Sequence, residues 1–588
     1  MPRLSKRWTI AALGAVALLG LACDDDEPLR IDPVDGAAPT PADDAADLDA
    51  AARDAADDTD DARATQSSDG APTPSPALLA AKRAACGFGR GAHVAETLGP
   101  AAPSPARIPI KHIIVMMKEN RAFDHILGRL HDAGQPGTEA PPADFANLDL
   151  SNQSVPFFHA PTTCWLSDPG HQWAEMHAQI DGGKMDGYVA SAAQTSASDG
   201  HFVMSYNDEQ DLPFYYWLAS TFALADRHFP AARSGTFPNR NFLLLGTADG
   251  VQSTGAGLPN PRTPTIFDLL DAKGISWGAF TDSEYFDGAL GWERGHRGTH
   301  SFGAFVVGLE RGTLPAVSFV DSVAYVEDEH PTADLERGEA WSRDVYTHVV
   351  ASPLWPETAL IWTYDEAGGF ADHVPPPEHA CVARPGPTDA PFFELGTRVP
   401  LVMISPWARA HAVSHQIEDH TAITRFIEAV FDLPALTARD ANSTALFELL
   451  DFDNPPALLQ PPLAPAAGTG HCAAGVQLSV ARHAYNAGDP IQIMFTNGPA
   501  TDAGDRIAIY LNQPGAPTPA TADPLLAAYV GGGNAPTVAR SSGTVTIDVA
   551  SVVAGKWPLA PGLYYVYYLP NQSKVPTATI DIEIRGRS

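Results

Sequence analysis

Residues 110–130, IKHIIVMMKENRAFDHILGRL, decide the fold of this chain. They open with an apolar run that favours a β-strand, and after KENRA the apolar residues return at the three- and four-residue spacing of a helix. The stretch therefore predicts a strand, a loop and a helix. A carboxylate and an amide, Glu119 and Asn120, stand at the carboxyl end of the strand, where open α/β sheets bind their ligands.

A second stretch, far along the chain, repeats this layout. Within residues 358–370, TALIWTYDEAGGF, a β-rich run at 358–364 is followed by Asp365 and Glu366 and, one residue later, by two glycines. Two buried strands would thus bring four oxygen-bearing side chains to one edge of a sheet. Because carboxylate and amide oxygens are the ligands of hard cations, the two stretches together predict a divalent-cation site.

β-rich runs and helical patterns alternate through the middle of the chain. We predict strands near 113–117, 316–320, 359–364 and 399–405, and helices near 215–224 and 339–350. This alternation predicts an α/β/α sandwich, in which helices cover both faces of a mostly parallel sheet.

The length and the charge limit what the protein can be. At 588 residues the chain exceeds what one hydrophobic core usually holds, so we expect two or more domains. The net charge is −33, and residues 24–70 alone carry sixteen acidic and three basic side chains with few large apolar ones. That segment predicts a disordered tether. So acidic a chain is a poor nucleic-acid binder.

The first 23 residues are typical of an export signal. Arg3, Lys6 and Arg7 precede an apolar run at 8–21, and LGLAC resembles a lipobox, which would be cleaved before Cys23 and lipidated there. We therefore expect an exported lipoprotein anchored in the bacterial cell envelope. An ordinary secretory peptide and an uncleaved anchor are the alternatives.

Export would place the other four cysteines in an oxidising compartment. Cys86, Cys164, Cys381 and Cys472 allow up to two disulfides, with three possible pairings. None of them shows C-x-x-C spacing, so a zinc or redox role is not indicated.

ENRAFDH, at 119–125, resembles the ENRSFDH signature of the bacterial and plant phosphoesterase family, which contains phospholipases C and related acid phosphatases. Further stretches resemble the same family in the same order: DPGHQW with GGKMDGYV, SGTFPNRNFLLLGT, DEHP and TYDEAGGFADHVPPP. The resemblance covers about residues 109–455. It implies an alkaline-phosphatase-like α/β/α sandwich, in agreement with the alternation of strands and helices.

The resemblance also implies roles for particular residues. Glu119, Asn120, Asp365 and Glu366 correspond to the family's metal ligands. The absence of cysteine from this set favours one Ca²⁺, Mg²⁺ or Mn²⁺ ion, with zinc conceivable. A capping or surface role is the alternative for either pair of residues.

The predicted nucleophile is Thr236. Pro238 suits the first turn of a helix, which would place Thr236 just before a helix N-terminus, where free amides favour a phosphoryl group. The resemblance implies that the Thr236 hydroxyl forms a phospho-enzyme. The alternatives are that Thr236 only caps the helix and that Ser234 is the nucleophile instead.

Histidines complete the predicted chemistry. His171 and His330 correspond to family histidines that contact the phosphoryl group, and one of them would protonate the leaving alkoxide. We interpret His125, His373 and the pair Asp419-His420 as supporting groups.

The chain departs from the family pattern at three places. Ala122 stands where the signature has Ser, and Ala367 stands where a His usually follows YDE, so we expect supporting hydrogen bonds to be lost there. After Trp277 the family's acid phosphatases carry a further His that this chain lacks. Asp282, His296 and His300 are the candidate substitutes.

From about residue 476 the pattern changes to short alternating runs separated by Gly, Pro, Asn and Asp, which predicts an antiparallel β-sandwich. DRIAIY and PLAPGLYYVYYL within it resemble the Ig-like modules of some phosphoesterases. We place the boundaries at 1–22 for a signal peptide, 23–106 for an acidic tether, 107–455 for the catalytic domain, 456–474 for a Pro/Ala-rich linker and 475–588 for the accessory sandwich.

These observations predict an exported, metal-dependent phosphoesterase of phospholipase C type, with a phospholipid as substrate. Export, the predicted anchor and the aromatic segment LPFYYW favour a lipid, and a place in the hydrophobic core is the alternative for LPFYYW. A broad-specificity acid phosphatase on the same scaffold is the first alternative. A non-catalytic surface protein, in which the sandwich does the binding, is the second.

Overall fold

The computed structural model describes residues 74–586 apart from gaps at 165–166, 197, 282–288, 292–297, 325, 332, 469–476, 481, 483, 497–502, 512–522, 533, 541, 550–553, 556 and 570–577. The predicted signal peptide, the lipobox at Cys23 and the acidic residues 24–70 lie outside these residues, as do Asp282, His296 and Cys472. Residues 74–106, which the sequence assigned to a disordered tether, are described. They include two helices, Pro76–Ala84 and Val94–Thr97, and the disulfide-bonded Cys86, so this part of the predicted tether is ordered. Among the described residues, no helix combines the length and the apolar character needed to cross a membrane.

The described part of the chain forms helices and strands in a long alternation. The helices are α1 (Pro76–Ala84), α2 (Val94–Thr97), α3 (Phe123–Leu127), α4 (Trp173–Ile180), α5 (Tyr188–Thr195), α6 (Pro213–Thr221), α7 (Thr236–Leu245), α8 (Ile266–Lys273), α9 (Phe302–Arg311), α10 (Leu335–Ala351), α11 (Thr421–Phe431) and α12 (Ala438–Ala441). The strands are β1 (His112–Lys118), β2 (Ala146–Leu148), β3 (Ser154–Pro156), β4 (Phe158–His159), β5 (Ser205–Tyr206), β6 (Ala223–Phe229), β7 (Trp277–Thr281), β8 (Thr299–His300), β9 (Val317–Asp321), β10 (Thr358–Tyr364), β11 (Val399–Ile404), β12 (Val413–Ser414), β13 (Glu418–Asp419), β14 (Gln477–Val480), β15 (Ala484–Asn486), β16 (Ile491–Thr496), β17 (Arg506–Leu511), β18 (Leu526–Tyr529), β19 (Gly543–Ile547), β20 (Ala554–Gly555), β21 (Gly562–Leu569) and β22 (Ala578–Arg585).

A nine-stranded sheet organises residues 112–419. Its order is β12-β6-β11-β10-β1-β9-β7-β8, with β13 also paired to β6. Strand β11 runs antiparallel to both of its neighbours, and the other pairings between described strands of this sheet are parallel. The predicted mostly parallel sheet is therefore confirmed.

The central strands are covered on both faces. Strands β10 and β11 are buried along their whole length, and β1 is buried at every residue but its first. Successive side chains of a strand point to opposite faces, so burial of every residue requires that both faces be packed. This is why HIIVMM and TALIWTY are continuous apolar runs instead of alternating ones.

The register of β1 against β10 fixes where the site lies. The two strands run parallel, with Lys118 opposite Tyr364 at their carboxyl ends. The next residues along each strand, Glu119 and Asp365, therefore leave the sheet side by side.

The helix predicted at 215–224 was wrong at its carboxyl end. Helix α6 ends at Thr221, and Phe222 is already extended. Residues 223–229 form β6, which pairs with β11 inside the sheet. The apolar pattern continues across the boundary, so it did not mark the point at which strand pairing replaces the helix.

The C-terminal part forms two further sheets around one hydrophobic core. Their orders are β14-β16-β19 and β15-β22-β21-β17-β18-β20. Ile493 and Phe495 from the first sheet pack with Ile507 and Val566 from the second. A two-sheet β-sandwich is thus present, while its Ig-like relationship stays a prediction. Pro72–Ser588 forms one compact unit. Within this unit, Arg311 NH2 of α9 lies 3.2 Å from Glu583 Oε2 of β22.

The described linker residues, 456–468, have no regular structure but lie along the first domain. Trp355 Nε1 donates to the carbonyl of Leu459 at 3.0 Å, and the Gly468 amide donates to Glu339 Oε2 at 2.9 Å. A disulfide joins Cys86 to Cys381. Cys164 is also disulfide-bonded.

Candidate active site

The four predicted oxygen ligands meet at the carboxyl ends of β1 and β10. Glu119, Asn120, Asp365 and Glu366 are each at most 1% exposed. The backbone N–H of Asn120 donates to Asp365 Oδ1 at 3.2 Å, and this hydrogen bond joins the two loops. We call these four residues the oxygen cluster. The sequence predicted their convergence, and the parallel register brings it about.

Three oxygens of this cluster lack a hydrogen-bond partner among the described residues: Asn120 Oδ1, Asp365 Oδ2 and Glu366 Oε1. The nearest positive group to Asp365 Oδ2 is Arg240 Nε, 3.8 Å away and beyond hydrogen-bond range. Buried polar atoms are almost always paired. Unpaired carboxylate and amide oxygens are the ligands that a hard divalent cation takes.

The electrostatics of the cluster point the same way. Burial raises the pKa of Glu119 well above its ordinary value, and the neighbouring Asp365 carboxylate raises it further. Burial and Asp365 also raise the pKa of Glu366. The carboxylates thus repel one another in a region with too little positive charge, and a bound cation would relieve the repulsion.

The loops that carry the cluster depend on glycine. Asn120 has a positive φ of 62°, which is uncommon for a residue with a side chain. Gly368 also has a positive φ, 63°, and a Cβ on it would lie 2.2 Å from the Asn120 carbonyl oxygen. The glycines after Asp365 and Glu366 therefore let the two loops approach closely.

Thr236 lies against the oxygen cluster. Helix α7 begins at Thr236 itself, with Gly235 as its N-cap, so the sequence placed the helix start slightly late. The Thr236 hydroxyl donates to Glu119 Oε2 at 3.1 Å and makes no capping hydrogen bond. The hydroxyl of Ser234 donates instead to the carbonyl of Gln252. Of the two hydroxyls, that of Thr236 is the one that contacts the oxygen cluster.

Sequence reasoning gave no role to Arg240 or Asp321. Arg240 NH2 donates to Glu119 Oε1 at 2.8 Å, and Arg240 NH1 donates to Asp321 Oδ1 at 3.1 Å. Two signals could have found them. Arg240 lies one helical turn after Thr236, and Asp321 ends β9, the neighbour of β1.

The two predicted histidines stand together beside the cluster. Their ring centroids are 5.5 Å apart, and with Asp168 they offer ligand atoms within 4.8 Å of one another. His171 Nε2 lies 3.7 Å from Glu366 Oε1 and 3.4 Å from Asn120 Nδ2. Burial lowers the pKa of His171, which disfavours the charged form of its ring.

The predicted supporting residues lie behind the site. His420 Nε2 donates to the backbone carbonyl of Asp365 at 2.7 Å, and the ring of His125 stacks on Phe370 at 3.9 Å. Ala122 is the N-cap of α3 and makes no side-chain capping hydrogen bond, as expected from the loss of the serine. His300 lies on β8, where its ring packs against Phe280.

Chemistry at phosphorus unites these features. A hydroxyl at a helix N-terminus can attack a phosphoryl group that free amides help to hold, oxygen ligands can hold a cation, and imidazoles can carry protons. The class of protein defined by the fold and the site is the hydrolases that act on phosphoric esters.

Comparison with known proteins narrows the class to a family. The model of the Phosphoesterase family matches residues 110–434, more than half of the chain, and the protein belongs to this family. Non-specific phospholipase C1 of Arabidopsis thaliana is 32% identical over 381 residues, which cover 58% of this chain and 70% of that protein. Phospholipase C B of Mycobacterium tuberculosis strain H37Rv is 29% identical over 423 residues, 60% of this chain and 80% of that protein.

Similarity to solved structures is weaker. A Vibrio parahaemolyticus protein of the alkaline phosphatase superfamily is 10% identical and aligns over 55% of this chain and 79% of its own, with a TM-score of 0.26. So low a score carries no argument about the fold.

Proposed function

We propose that this protein is a metal-dependent phosphodiesterase of phospholipase C type that forms a phosphothreonine intermediate. Its products would be diacylglycerol and a phosphorylated headgroup. The observation that carries the proposal is the hydroxyl of Thr236, which donates to Glu119 Oε2 at 3.1 Å, in a cluster where three other oxygens lack partners among the described residues. The names of the plant and mycobacterial relatives support a phospholipid substrate.

Glu119, Asn120, Asp365 and Glu366 would hold the cation. When bound, a divalent cation neutralises charge on the phosphoryl oxygens and favours the alkoxide form of a nearby hydroxyl. Ca²⁺, Mg²⁺ and Mn²⁺ suit an all-oxygen ligand set. Arg240 occupies Glu119 Oε1 from one side, which keeps Glu119 Oε2 facing Thr236.

The residues of the chain account for both chemical steps. Thr236 Oγ1 passes its proton to Glu119 and attacks phosphorus, so that the Oγ1–P bond forms while the bond from phosphorus to the glycerol oxygen breaks. His171 or His330 protonates the departing alkoxide. In the second step, a water molecule deprotonated by the same histidine attacks phosphorus, the Oγ1–P bond breaks, and Glu119 returns its proton to Thr236 Oγ1.

The proposal includes the location of the enzyme. The LGLAC sequence supports export and a lipid anchor on Cys23, and the acidic segment that follows would act as a spacer between the membrane and the catalytic domain. An enzyme held in this way would meet phospholipid at high local concentration. The sandwich would pack on the catalytic domain or bind a surface.

A substrate panel tests the proposal. The purified enzyme is given phosphatidylcholine vesicles in one arm and an aryl phosphate monoester in the other, each with and without a chelator. We expect release of phosphocholine that exceeds release of inorganic phosphate and that the chelator abolishes. Faster hydrolysis of the monoester would favour the acid phosphatase alternative, and activity in excess chelator would refute the metal requirement.

Trapping the intermediate tests the nucleophile separately. Acid quenching during turnover of phosphatidylcholine, followed by peptide mass spectrometry, should locate a phosphocholine group on Thr236. The same group on Ser234, or on neither residue under conditions of rapid turnover, would refute this part of the mechanism.

A further inference from the structure

The geometry points to His171 as a positioning residue that acts through Asn120, which leaves protonation of the leaving group to His330. This inference rests on the proposed function and divides the roles of the two histidines. It is carried by the hydrogen bonds on the two sides of the His171 ring.

The backbone fixes the tautomer of His171. Its Nδ1 lies 2.7 Å from the carbonyl oxygen of Pro169. A carbonyl oxygen can only accept, so Nδ1 carries the hydrogen and the neutral ring has its lone pair on Nε2. The residue is 8% exposed, which leaves little room for another ring orientation.

That lone pair selects the orientation of the Asn120 amide. Asn120 Nδ2 lies 3.4 Å from His171 Nε2 and donates to it, so that Asn120 Oδ1 is on the other side of the amide, where it is buried without a partner. If the amide were flipped, Oδ1 would face another acceptor, and the NH₂ group would be free to donate to the carboxylates of the cluster. The neighbouring carboxylates favour the flipped amide, because its NH₂ group would donate to them. The acceptor on His171 Nε2 favours the orientation that is observed.

The loop that carries His171 is held rigidly. Gln179 Nε2 donates to the Gly170 carbonyl at 2.6 Å, and the Gly170 amide donates to Thr195 Oγ1 at 2.9 Å. A Cβ on Gly369 would lie 3.0 Å from the same Gly170 carbonyl, so the glycine pair after the DE sequence also seats this loop. Helices α4 and α5 thus set the position of the ring. Such rigidity suits a group that orients a ligand.

The test compares two substitutions at one position. His171→Ala removes the acceptor, whereas His171→Gln places a carbonyl oxygen near the position of Nε2 and has no titratable proton. The affinity for a cation alone is measured by titration calorimetry, using whichever of Ca²⁺, Mg²⁺ and Mn²⁺ binds the wild type most tightly, together with kcat and KM. We expect His171→Ala to weaken cation binding about 10- to 100-fold. His171→Gln should stay within about threefold of the wild type in affinity and in kcat. His201→Ala, at an exposed histidine outside the site, is the matched control.

A double substitution sharpens the result. The side chain of Asn120→Asp has two equivalent oxygens and needs no orientation, so adding His171→Ala to it should change cation affinity less than twofold. Equal cation affinity in wild type, His171→Ala and His171→Gln, with kcat lost in both variants, would overturn the inference and make His171 the proton donor. If His171→Ala does not fold, kcat and cation affinity of His171→Gln decide by themselves. A wild type that binds no divalent cation would refute the proposed function instead.

Discussion

Two groups of buried carboxylates lie close together in the α/β domain and differ in one respect. The first is the oxygen cluster. The second, which we call the arginine-paired cluster, comprises Asp124, Asp372, His373 and Arg398. Both combine residues that follow β1 with residues that follow β10. The oxygen cluster contains three buried carboxylates and the arginine-paired cluster contains two.

In the arginine-paired cluster the carboxylates are satisfied. Asp124 Oδ1 accepts from Arg398 NH2 at 2.9 Å, and Asp124 Oδ2 accepts from the His373 amide at 2.8 Å. Asp372 Oδ1 accepts from the Val374 amide at 2.9 Å, and Asp372 Oδ2 accepts from the Asp124 amide at 3.1 Å. A cation would have to displace hydrogen bonds here, whereas in the oxygen cluster three oxygens have none to lose. Proximity of carboxylates therefore does not distinguish the two clusters, whereas the presence of unpaired oxygens does.

Removing the nucleophile should have the largest effect. Thr236→Ala should lower kcat about 10⁴-fold or more, because no hydroxyl remains to attack phosphorus. The melting temperature should change little, since one hydrogen bond is worth about 1 kcal/mol. Phosphodiesterase assays and thermal melts measure both.

Two neighbouring substitutions control this result. Thr236→Ser should retain part of the activity, and Ser234→Ala should retain nearly all of it, because its hydroxyl binds the Gln252 carbonyl. Near-normal activity of Thr236→Ala would show that the oxygen cluster is not where reaction occurs.

Breaking the arginine-paired cluster should cost stability. Asp124→Asn puts an NH₂ group among the donors of Arg398 and His373 and leaves buried Arg398 poorly paired. We expect a loss of about 3 to 5 kcal/mol in the free energy of unfolding. Denaturant titration measures it, and cation affinity should be unchanged. A stable Asp124→Asn variant with weakened cation binding would reverse the roles of the two clusters.

The matching substitution in the oxygen cluster, Glu366→Gln, should raise the stability of the cation-free protein instead of lowering it. Glu366→Gln replaces a carboxylate whose pKa is raised by burial, and its amide oxygen can still accept from the Gly368 amide, as Glu366 Oε2 does at 2.6 Å. The cation-free protein should therefore melt at a higher temperature than the wild type at pH 8. Cation affinity should fall at least about tenfold. A lower melting temperature without cation would mean that this carboxylate stabilises the fold.

A substitution at a further pair of carboxylates, Glu418 and Glu448, should have the smallest effect on stability. Burial, followed by the neighbouring Glu448 carboxylate, raises the pKa of Glu418 well above its ordinary value, and burial also raises the pKa of Glu448. A raised folded-state pKa contributes stability that is complete below the unfolded pKa, about 4.3, and is lost as pH rises through the folded value. The melting temperature of Glu418→Gln should therefore fall less with rising pH than that of the wild type. Parallel pH profiles would show that the pair is not coupled.

The sequence predicted more of the site than of its surroundings. Continuous apolar runs identified β1 and β10, and the oxygen-bearing residues stood directly after them, so the convergence of Glu119 and Asp365 followed from the rule for parallel sheets. The carboxyl end of α6 and the start of α7 were missed by a few residues, because apolar spacing does not register where the backbone changes conformation. The roles of Arg240 and Asp321 depended on neighbours brought together only by folding.

The sequence by itself determined the family, the mostly parallel sheet and the residues that stand at the strand ends, because each of these is written in local patterns and ordered motifs. Only the tertiary structure decided which carboxylates are satisfied. Arg398 pairs with Asp124 and Asp372, whereas Asp365 and Glu366 keep oxygens without partners, although all four carboxylates come from the same two motifs. The reason is physical: whether a buried oxygen has a partner depends on donors from distant parts of the chain, and their positions are set by packing.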